Sequence, residues 1–418
     1  MSILIEDVLL DGYRKNIRVE GNRIASLDSD EAADTVIHGK GKAAIPGLVN
    51  THTHAAMSLF RGYADDMLLQ DWLSNKIWPL ERHLKPEHIY WGTKLACLEM
   101  IKSGTTCFND MYFFMQEAAR AVEEMGIRAV LSEGFTDLLD PDAGKERFQS
   151  SISLVESIRS MRNDRIVPAL GPHAMYTVSP ESLQMISEYA EKEDLLVHFH
   201  LSETEDEVNA CIEEHGKRPV EFLEEIGFLN PRLVAAHSIW LNKEEIDLLS
   251  KHDVKVSHNP VSNMKLAVGK AIPYREMKEA GLLVSLGTDG CASNNTLDMF
   301  ETVKFAALYQ KAYTGDPTIL PAQEAVALAT ENGARALGID AGRIAPGKLA
   351  DIVLVDLRAS QLHPGHNLVS DLAYAANGSC VDTVICDGKI LMQNRKVEGE
   401  NEILERANEA ALDLVGNE

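Results

Sequence analysis

The chain has 418 residues, and its 64 Asp and Glu residues outnumber its 40 Lys and Arg residues, which gives a formal net charge of −24. A surface this acidic repels phosphate backbones and anionic headgroups, so the composition argues against nucleic acid and membrane partners and favours a small uncharged or cationic molecule. The composition, 45% hydrophobic and 25% charged, is globular. The length allows one large domain of roughly 250 residues and a smaller one.

The six cysteines are scattered along the chain and form no C-x-x-C pair. They therefore predict reduced, buried thiols rather than a disulfide framework or a zinc ribbon. At the N-terminus, Glu6 stands where a signal peptide would carry bases, and no uncharged apolar run reaches the roughly 18 residues of a membrane-spanning helix. These features predict a cytoplasmic protein.

The first 45 residues alternate short apolar runs with glycines and charged turns. These runs predict the strands of a small antiparallel sheet, because each is bounded by turn-forming residues. The predicted strands cover residues 3–10, 17–19, 23–27 and 35–38.

From about residue 44, short apolar runs alternate with helix signals, and each run ends in polar residues able to do chemistry. The eight runs are 44–50, 105–110, 128–134, 166–173, 195–200, 233–238, 253–258 and 283–289. Helix signals between them include Pro86 in a first turn, Ser179 before Pro180, and the capping-box spacing of Asn242 and Glu245. Eight such units predict an α/β fold, a (β/α)8 TIM-like barrel with its catalytic groups at the C-terminal strand ends.

Strand-like sequence returns in residues 349–356 and 381–389. Strands at the two ends of a chain that flank a barrel pair most simply with each other. We therefore predict a small β-sandwich domain from residues 1–45 plus 345–400, a metal-dependent catalytic barrel at 46–344, and a C-terminal helix at 401–418.

Two histidines, His52 and His54, end the first predicted barrel strand in the sequence G-L-V-N-T-H-T-H. Side chains alternate along a strand with a period of two, so both imidazoles lie on one face and point toward the barrel mouth. The pair can share a metal ion, and the alternative is two polar strand residues without one. Its place at the end of the first of eight strands favours the metal.

The fifth run ends in H-x-H-x-x-E, which offers His200 as a third ligand and places Glu203 beside the metal. His198 lies on the same strand face and is either a ligand or a residue that fills the barrel interior, and we favour the second interpretation. Asp289, between two glycines in L-G-T-D-G, has room to approach the metal, although this short sequence alone mostly marks a turn.

Three histidines, one carboxylate and an open position for water are typical of a catalytic divalent site rather than a structural one. Imidazole and carboxylate ligands suit Zn²⁺, which is our first expectation, with Fe²⁺ or Mn²⁺ as alternatives. The fourth run ends at His173 and contains no lysine that could bridge two ions. We therefore expect one divalent ion per subunit.

In this order along the chain, P-G-L-V-N-T-H-T-H, H-x-H-x-x-E, A-H-S, H-N-P-x-S-N-M-K-L and G-T-D-G resemble the amidohydrolase superfamily. More narrowly, the sequence resembles the methylthioadenosine/S-adenosylhomocysteine deaminase group, which includes the 5'-deoxyadenosine deaminases. This resemblance implies salvage of S-adenosylmethionine by-products by hydrolytic deamination. The implied substrates are 5'-deoxyadenosine, 5'-methylthioadenosine, S-adenosylhomocysteine or adenosine, and the products are inosine analogues and ammonia. An s-triazine hydrolase or a guanine or free-base deaminase of the same superfamily is the alternative.

The resemblance implies four metal ligands, which are His52, His54, His200 and Asp289. His237, in A-A-H-S, matches the histidine that contacts the water at the metal, and Glu203 matches the carboxylate that reaches the purine ring nitrogen. Glu203, His237 and Asp289 are therefore the expected catalytic residues, and Glu203 and Asp289 also contact the substrate.

Four further residues are expected to bind substrate. Glu81 matches the residue that takes the ribose hydroxyls, with a surface acid as the alternative, while His173 and Trp72 match other nucleoside contacts. Some members of the group anchor the homocysteine carboxylate with two arginines, but here Arg147 is the one cation after the third strand and acids surround it. Because Arg128 begins that strand, it should lie at the opposite end of the barrel. We therefore favour substrates without the homocysteine tail.

The resemblance also makes a homotetramer or a homodimer the expected assembly. A scaffold that has lost its metal and assembles partners is a non-enzymatic alternative. The presence of all four candidate ligands argues against it.

Overall fold

The computed structural model describes residues 2–416 of the chain and contains two eight-stranded sheets. The strands are β1 (Ser2–Leu10), β2 (Tyr13–Glu20), β3 (Arg23–Leu27), β4 (Thr35–His38), β5 (Lys42–Pro46), β6 (Leu48–Thr53), β7 (Thr105–Tyr112), β8 (Arg128–Phe135), β9 (Ile166–Pro172), β10 (Leu196–Leu201), β11 (Leu233–His237), β12 (Lys255–His258), β13 (Leu283–Leu286), β14 (Ile352–Asp356), β15 (Val381–Cys386) and β16 (Lys389–Met392).

The α-helices of the described residues all follow β6 in the chain. They are α1 (Leu69–Trp72), α2 (Trp78–Glu81), α3 (Pro86–Lys102), α4 (Met115–Met125), α5 (Pro141–Met161), α6 (Pro180–Glu193), α7 (Glu205–His215), α8 (Pro219–Glu225), α9 (Lys243–Lys251), α10 (Pro260–Lys265), α11 (Tyr274–Glu279), α12 (Cys291–Asn294), α13 (Met299–Thr314), α14 (Ala322–Leu328), α15 (Glu331–Ala336), α16 (Leu368–Tyr374) and α17 (Glu400–Val415). A π-helical turn, Leu73–Ile77, joins α1 to α2.

The barrel is formed by β6 to β13, which lie side by side in chain order and pair in parallel. Side chains and backbone around the end of β6 connect it to the last strand. The Thr51 hydroxyl donates to the Leu286 carbonyl at 2.9 Å, and the Asp289 amide donates to the His52 carbonyl at 3.0 Å. The strands are almost wholly buried, as expected where helices cover a parallel sheet. The predicted TIM-like barrel is confirmed.

The residues that the sequence identified as helix signals lie at the N-termini of helices in the structure. Pro86 is the first residue of α3, and the Ser179 hydroxyl accepts a hydrogen bond from the Ser182 amide at the start of α6. Asn242 and Glu245 cap α9 reciprocally, with the Asn242 side chain accepting from the Glu245 amide at 2.8 Å. These caps satisfy amides that would otherwise lack partners in the first turn.

The second sheet brings the two ends of the chain together. Its strands lie in the order β16, β15, β14, β5, β1, β2, β3, and β4 pairs with β1. Strand β5 pairs antiparallel with β14 and thereby joins the N-terminal and C-terminal segments. The fold class of a barrel with a separate sheet domain is confirmed.

Two runs that the sequence predicted as single strands are each divided in the structure. Residues 44–50 span the end of β5 and the start of β6, because the chain passes from one sheet to the other at Gly47. A Cβ at Gly47 would lie 2.0 Å from the Thr106 hydroxyl, so this crossing tolerates only glycine. Residues 381–389 form a hairpin, since Asp387 and Gly388 both adopt the positive φ of a tight turn.

The C-terminal helix α17 packs against α3. It covers Glu400–Val415 of the predicted 401–418, and residues 417 and 418 lie outside the described residues, as does Met1 of the first predicted segment. Among the helices within residues 2–416, none combines the length and the apolar character needed to cross a membrane. All six cysteines are buried and free, as predicted.

A buried group of ion pairs joins the bottom of the barrel to the terminal sheet. Arg128, the first residue of β8, contacts Asp351 at 3.1 Å and Asp387 at 3.0 Å, and its side chain is only 4% exposed. Burial disfavours the guanidinium charge, but the charge of Asp351 and its hydrogen bonds raise the pKa of Arg128. Arg128 therefore lies at the barrel end opposite the strand tips, as predicted.

Replacing Arg128 with Met should lower the free energy of unfolding by about 3–5 kcal/mol, because the change leaves the buried carboxylate of Asp351 without its cation. Thermal and urea denaturation would measure the effect. The matched control is Arg120→Met on the exposed face of α4, where the ion pair with Glu117 should contribute about 0.5 kcal/mol or less. Equal stability of the two variants would show that Arg128 does not hold the two sheets together.

Candidate active site

A cavity of about 350 Å³ opens at the C-terminal ends of the barrel strands. This volume lies within the range of small-molecule sites. Eight of the ten predicted site residues line it, namely His54, Trp72, Glu81, His173, His200, Glu203, His237 and Asp289. His52 lies fully buried beneath the floor, whereas Arg147 is exposed on α5 and donates to the Thr136 carbonyl instead of lining the cavity.

Four donor atoms converge at the floor of the cavity. The Asp289 Oδ1 atom lies 3.4 Å from His52 Nε2 and 3.4 Å from His54 Nε2, and His54 Nε2 lies 3.4 Å from His200 Nε2. Ligands at about 2.1 Å around a tetrahedral ion are about 3.4 Å apart, so these spacings fit a single divalent cation. The buried His52 Nε2 has no hydrogen-bond partner within residues 2–416, as expected for an atom reserved for a metal.

Within the described residues, two His and Asp groups have donor atoms close enough to share an ion. They are His52 with His54 and His200, and His52 with His237 and Asp289. The groups share His52 and therefore describe one centre rather than two. The expectation of one ion per subunit stays a prediction.

Backbone carbonyls orient two of the histidines. The Nδ1 atom of His54 lies 2.6 Å from the Met111 carbonyl, and that of His200 lies 2.8 Å from the His173 carbonyl. Both Nδ1 atoms must donate, because a carbonyl only accepts, and this leaves Nε2 free to bind metal. Such partners fix the tautomer and the ring orientation of a metal-binding histidine.

The third histidine, His52, is oriented by another side chain. Its Nδ1 lies 2.6 Å from Nε2 of His198, which is fully buried behind it on β10. Burial lowers the pKa of both His52 and His198, which keeps the rings neutral. His198 is thus placed as a support for His52 rather than as a member of the donor cluster.

Asp289 is held by a network that the sequence did not reveal. Its Oδ2 accepts hydrogen bonds from the hydroxyls of Ser262 and Ser293 at 2.6 and 3.0 Å, which leaves Oδ1 toward the histidines. Burial would raise the pKa of Asp289, but interactions with the neighbouring imidazoles of His52, His54 and His237 hold that pKa well below its usual value. Asp289 is therefore a carboxylate.

The two glycines beside Asp289 permit its approach to the histidines. A Cβ at Gly287 would lie 2.7 Å from the Cβ of His52, and one at Gly290 would lie 3.2 Å from the Cβ of His54. Asp289 itself has a φ of 65°, in the left-handed region that a carboxylate residue tolerates at some cost. The tight chain path that the G-T-D-G sequence suggested is present.

Glu203 and His237 lie side by side above the donor cluster. The Glu203 Oε1 is 3.6 Å from the His237 Nδ1. That nitrogen accepts a hydrogen bond from the side-chain amide of Asn263 at 2.9 Å. Burial lowers the pKa of His237 to about 3. Burial, together with the charges of Asp289 and Glu207, raises the pKa of Glu203 well above its usual value. A carboxyl group that burial favours in its protonated form therefore lies next to a neutral imidazole.

Glu207, which sequence analysis missed, fixes the backbone at Glu203. Its carboxylate accepts from the Ser202 amide at 2.9 Å and from the Glu203 amide at 2.8 Å. The signal was available, because Thr204 caps α7 and Glu207 follows it at the spacing of a capping box. The carboxylate reaches past the capping position and holds the segment that carries Glu203.

The outer part of the cavity contains Glu81 and Trp72. The Tyr112 hydroxyl donates to Glu81 Oε1 at 2.7 Å, and burial raises the pKa of Glu81 to about 7. The Trp72 indole donates to the Ala64 carbonyl at 3.0 Å and so presents its ring, rather than its N–H, to the cavity. Glu81 is therefore a carboxyl enclosed in the cavity wall and not the surface acid of the alternative interpretation.

His173 is a neutral ring in the same wall. Its Nδ1 lies 2.8 Å from the Thr177 hydroxyl, and burial lowers its pKa to about 4. The sequence did not single out Arg82, which is the one Lys or Arg side chain among the described residues that line the cavity. The remaining wall is mostly apolar.

Comparison with known proteins shows the family. Residues 43–391 match the model of the Amidohydrolase family, which is most of the chain. The chain belongs to the amidohydrolase family. The 5'-deoxyadenosine deaminase of Methanoregula boonei is 56% identical to this amidohydrolase over 383 residues, which cover 92% of this chain and 87% of the relative.

Two other relatives match this amidohydrolase over nearly its whole length. The 5-methylthioadenosine/S-adenosylhomocysteine deaminase 1 of Archaeoglobus fulgidus is 52% identical, with 96% of each chain covered. The crystal structure of an adenosine deaminase from Xanthomonas campestris with bound zinc has a TM-score of 0.93 at 34% identity and covers 99% of this chain and 98% of its own. The family and the donor cluster together support a divalent metal at this site.

Proposed function

We propose that this amidohydrolase deaminates adenine nucleosides by hydrolysis, with inosine analogues and ammonia as products. The observation that carries the proposal is one cavity that holds a His and Asp donor cluster, a largely buried, protonated Glu203 beside it, and a carboxyl, Glu81, farther out. The names of the Methanoregula and Archaeoglobus relatives support the same reaction.

The proposed ligands are His52, His54, His200 and Asp289, and the ion they hold would supply a hydroxide nucleophile near neutral pH. Asp289 is proposed to accept the proton of the attacking water, since it is a carboxylate whose Oδ1 lies 3.4 Å from the Nε2 atoms of His52 and His54, where that water would be held. It then delivers that proton to the departing amino group. One carboxylate thereby serves both halves of the reaction.

Glu203 acts as the general acid. Attack at C6 of adenine costs aromatic stabilisation unless the adjacent ring nitrogen gains a proton as the new bond forms. Glu203 keeps a proton at neutral pH because burial and neighbouring carboxylates raise its pKa. His237 accepts a hydrogen bond at Nδ1, so its Nε2 carries a proton and can donate to the attacking oxygen.

Glu81 is proposed to accept hydrogen bonds from the ribose hydroxyls. Its pKa of about 7 makes this interaction dependent on pH, since the carboxylate accepts more strongly than the neutral acid. The KM for a ribonucleoside should therefore fall as pH rises through about 7. His173 and Trp72, in the same walls, are proposed to contact the nucleoside.

We expect Glu81→Gln to raise the KM for the substrate 5'-deoxyadenosine by about tenfold at pH 8 and to remove this pH dependence. Steady-state kinetics from pH 6 to pH 9 would measure both effects. A substrate without the two hydroxyls, 2',3'-dideoxyadenosine, serves as the control and should show neither. If the variant binds the ribonucleoside as well as wild type does, a free-base deaminase or s-triazine hydrolase, which has no ribose to bind, is favoured instead.

The preferred substrate is proposed to carry an apolar 5' substituent. Arg147 lies outside the cavity lining and Arg82 is exposed, so the described residues that line the cavity include no pair of cations that could hold a carboxylate. Trp78, Phe113 and Leu138 also line the cavity, and their exposure of 38%, 36% and 70% leaves apolar surface open to a ligand. These surroundings favour 5'-deoxyadenosine or 5'-methylthioadenosine over S-adenosylhomocysteine.

A panel of adenine nucleosides and free bases, followed by the ultraviolet change from aminopurine to hypoxanthine, tests the function. The largest kcat/KM is expected for 5'-deoxyadenosine or 5'-methylthioadenosine, with slower turnover of S-adenosylhomocysteine. Turnover of guanine or an s-triazine alone would overturn the proposal.

We further propose zinc as the native ion, a homotetramer or homodimer as the assembly, and the cytoplasm as the location. The bound zinc of the Xanthomonas structure supports the first of these. Metal analysis of the purified protein distinguishes zinc from iron and manganese, light scattering gives the oligomeric state, and cell fractionation gives the location.

A further inference from the structure

The hydrogen bond between Tyr112 and Glu81 joins two parts of the protein that are built differently. Tyr112 is the last residue of β7, pairs with Glu133 of the neighbouring strand β8, and is only 4% exposed. Glu81 ends the short helix α2, which follows the π-helical turn and lies outside the barrel strands. The Tyr112 hydroxyl thus ties a peripheral segment to the rigid rim of the barrel.

This bond also decides which carboxylate oxygen remains for a ligand. The Tyr112 hydroxyl donates a hydrogen bond to Oε1 of Glu81 at 2.7 Å. Within residues 2–416, Oε2 has no hydrogen-bond partner of its own, and Glu81 lines the cavity. A carboxylate with one oxygen fixed has lost a rotational freedom that ligand binding would otherwise have to remove.

We propose that Tyr112 is a positioning residue that sets the distance between the ribose-binding carboxylate and the reacting end of the site. The inference rests on the proposed function, in which Glu81 holds the ribose. Glu203 and Asp289 follow barrel strands β10 and β13, so the base is held by the barrel itself. The distance from C6 to the ribose hydroxyls of a nucleoside varies little. A Glu81 side chain without the Tyr112 hydrogen bond would be at the matching distance for only part of the time, so the nucleoside would bind less tightly.

A purely structural role for Tyr112 is the competing explanation. Its ring lies 5.1 Å from that of Phe113 and 6.1 Å from that of His54, between centroids. Phenylalanine at this position keeps those ring contacts and removes only the hydroxyl. Tyr112→Phe therefore separates the two roles.

In the metal-loaded enzyme, Tyr112→Phe is expected to raise the KM for the substrate 5'-deoxyadenosine by about tenfold, as for loss of a hydrogen bond to a charged group. The kcat should stay within about twofold of wild type, because Tyr112 touches none of the groups that move protons. With 2',3'-dideoxyadenosine the KM should not change, since this substrate offers no hydroxyl to Glu81. Tyr189→Phe on α6, outside the cavity lining, is the matched control.

The double variant Tyr112→Phe/Glu81→Gln supplies the deciding comparison. If Tyr112 acts through Glu81, the double variant has the same KM as Glu81→Gln alone. Additive losses, an equal loss with the dideoxy substrate, or an unchanged KM in Tyr112→Phe would each overturn the inference while leaving the deaminase function intact. A wild-type protein that deaminates no nucleoside contradicts the proposed function itself, and the inference with it.

Discussion

Glu203→Gln is expected to lower kcat by about 10²–10⁴-fold, the usual contribution of a positioned general acid. Glutamine has nearly the same shape but carries no acidic proton, so the ring nitrogen gains no proton as C6 is attacked. The metal content should change little, because Glu203 lies outside the four-atom donor cluster. The KM for the nucleoside substrate should also change little, because the side-chain amide of glutamine can still donate a hydrogen bond to the ring nitrogen. Steady-state kinetics and metal analysis of the same preparation measure the three quantities.

Glu205→Gln is the control for this experiment. Glu205 is exposed at the start of α7, two residues away, and its replacement should leave kcat unchanged. The wild-type rate should also fall at high pH, when Glu203 loses its proton, and this decline should follow the raised pKa of Glu203. Full activity of Glu203→Gln would remove Glu203 from the mechanism.

The second large effect concerns the metal. His200→Ala removes one of the four proposed ligands and should lower metal affinity by more than about 100-fold, with activity lost in parallel. His198→Asn removes only the partner of His52 Nδ1 and should lower the metal affinity by about 10- to 100-fold. Chelator competition followed by metal analysis gives both affinities without reference to turnover.

His366→Ala, at an exposed position near the C-terminal sheet strands, is the control and should bind metal like wild type. If His200→Ala kept its full metal content while a His198 variant lost metal, His198 would be the ligand instead of His200. The positions of the rings argue against that result, because His198 Nε2 is already engaged by His52.

Several parts of the site could be predicted from the sequence because they depend on local spacing. The two-residue period placed His52 and His54 on one strand face, and the glycines around Asp289 marked a close approach that the structure contains. The start of β8 put Arg128 at the far end of the barrel. In each of these cases the prediction needed only residues that are close together in sequence, although the partners they meet can be distant.

Contacts between distant segments could not be predicted in the same way. No spacing relates Ser262 to Asp289, or Tyr112 to Glu81, since folding alone brings these segments together. The charge of Arg147 suggested a substrate contact, but charge does not reveal which way a side chain on a helix points, and Arg147 lies against Thr136 instead. Glu207 is different, because its capping-box spacing could have been recognised.

The pairing of β5 with β14 has a consequence for synthesis on the ribosome. About 300 residues separate the two strands, so β5 leaves the exit tunnel long before its neighbour is made. During that interval the nascent chain carries an unpaired strand edge directly before the first proposed metal ligands, and such edges promote association with other chains. Chaperone binding is therefore expected to matter most for this protein while translation is in progress, and premature termination before residue 352 should yield insoluble fragments.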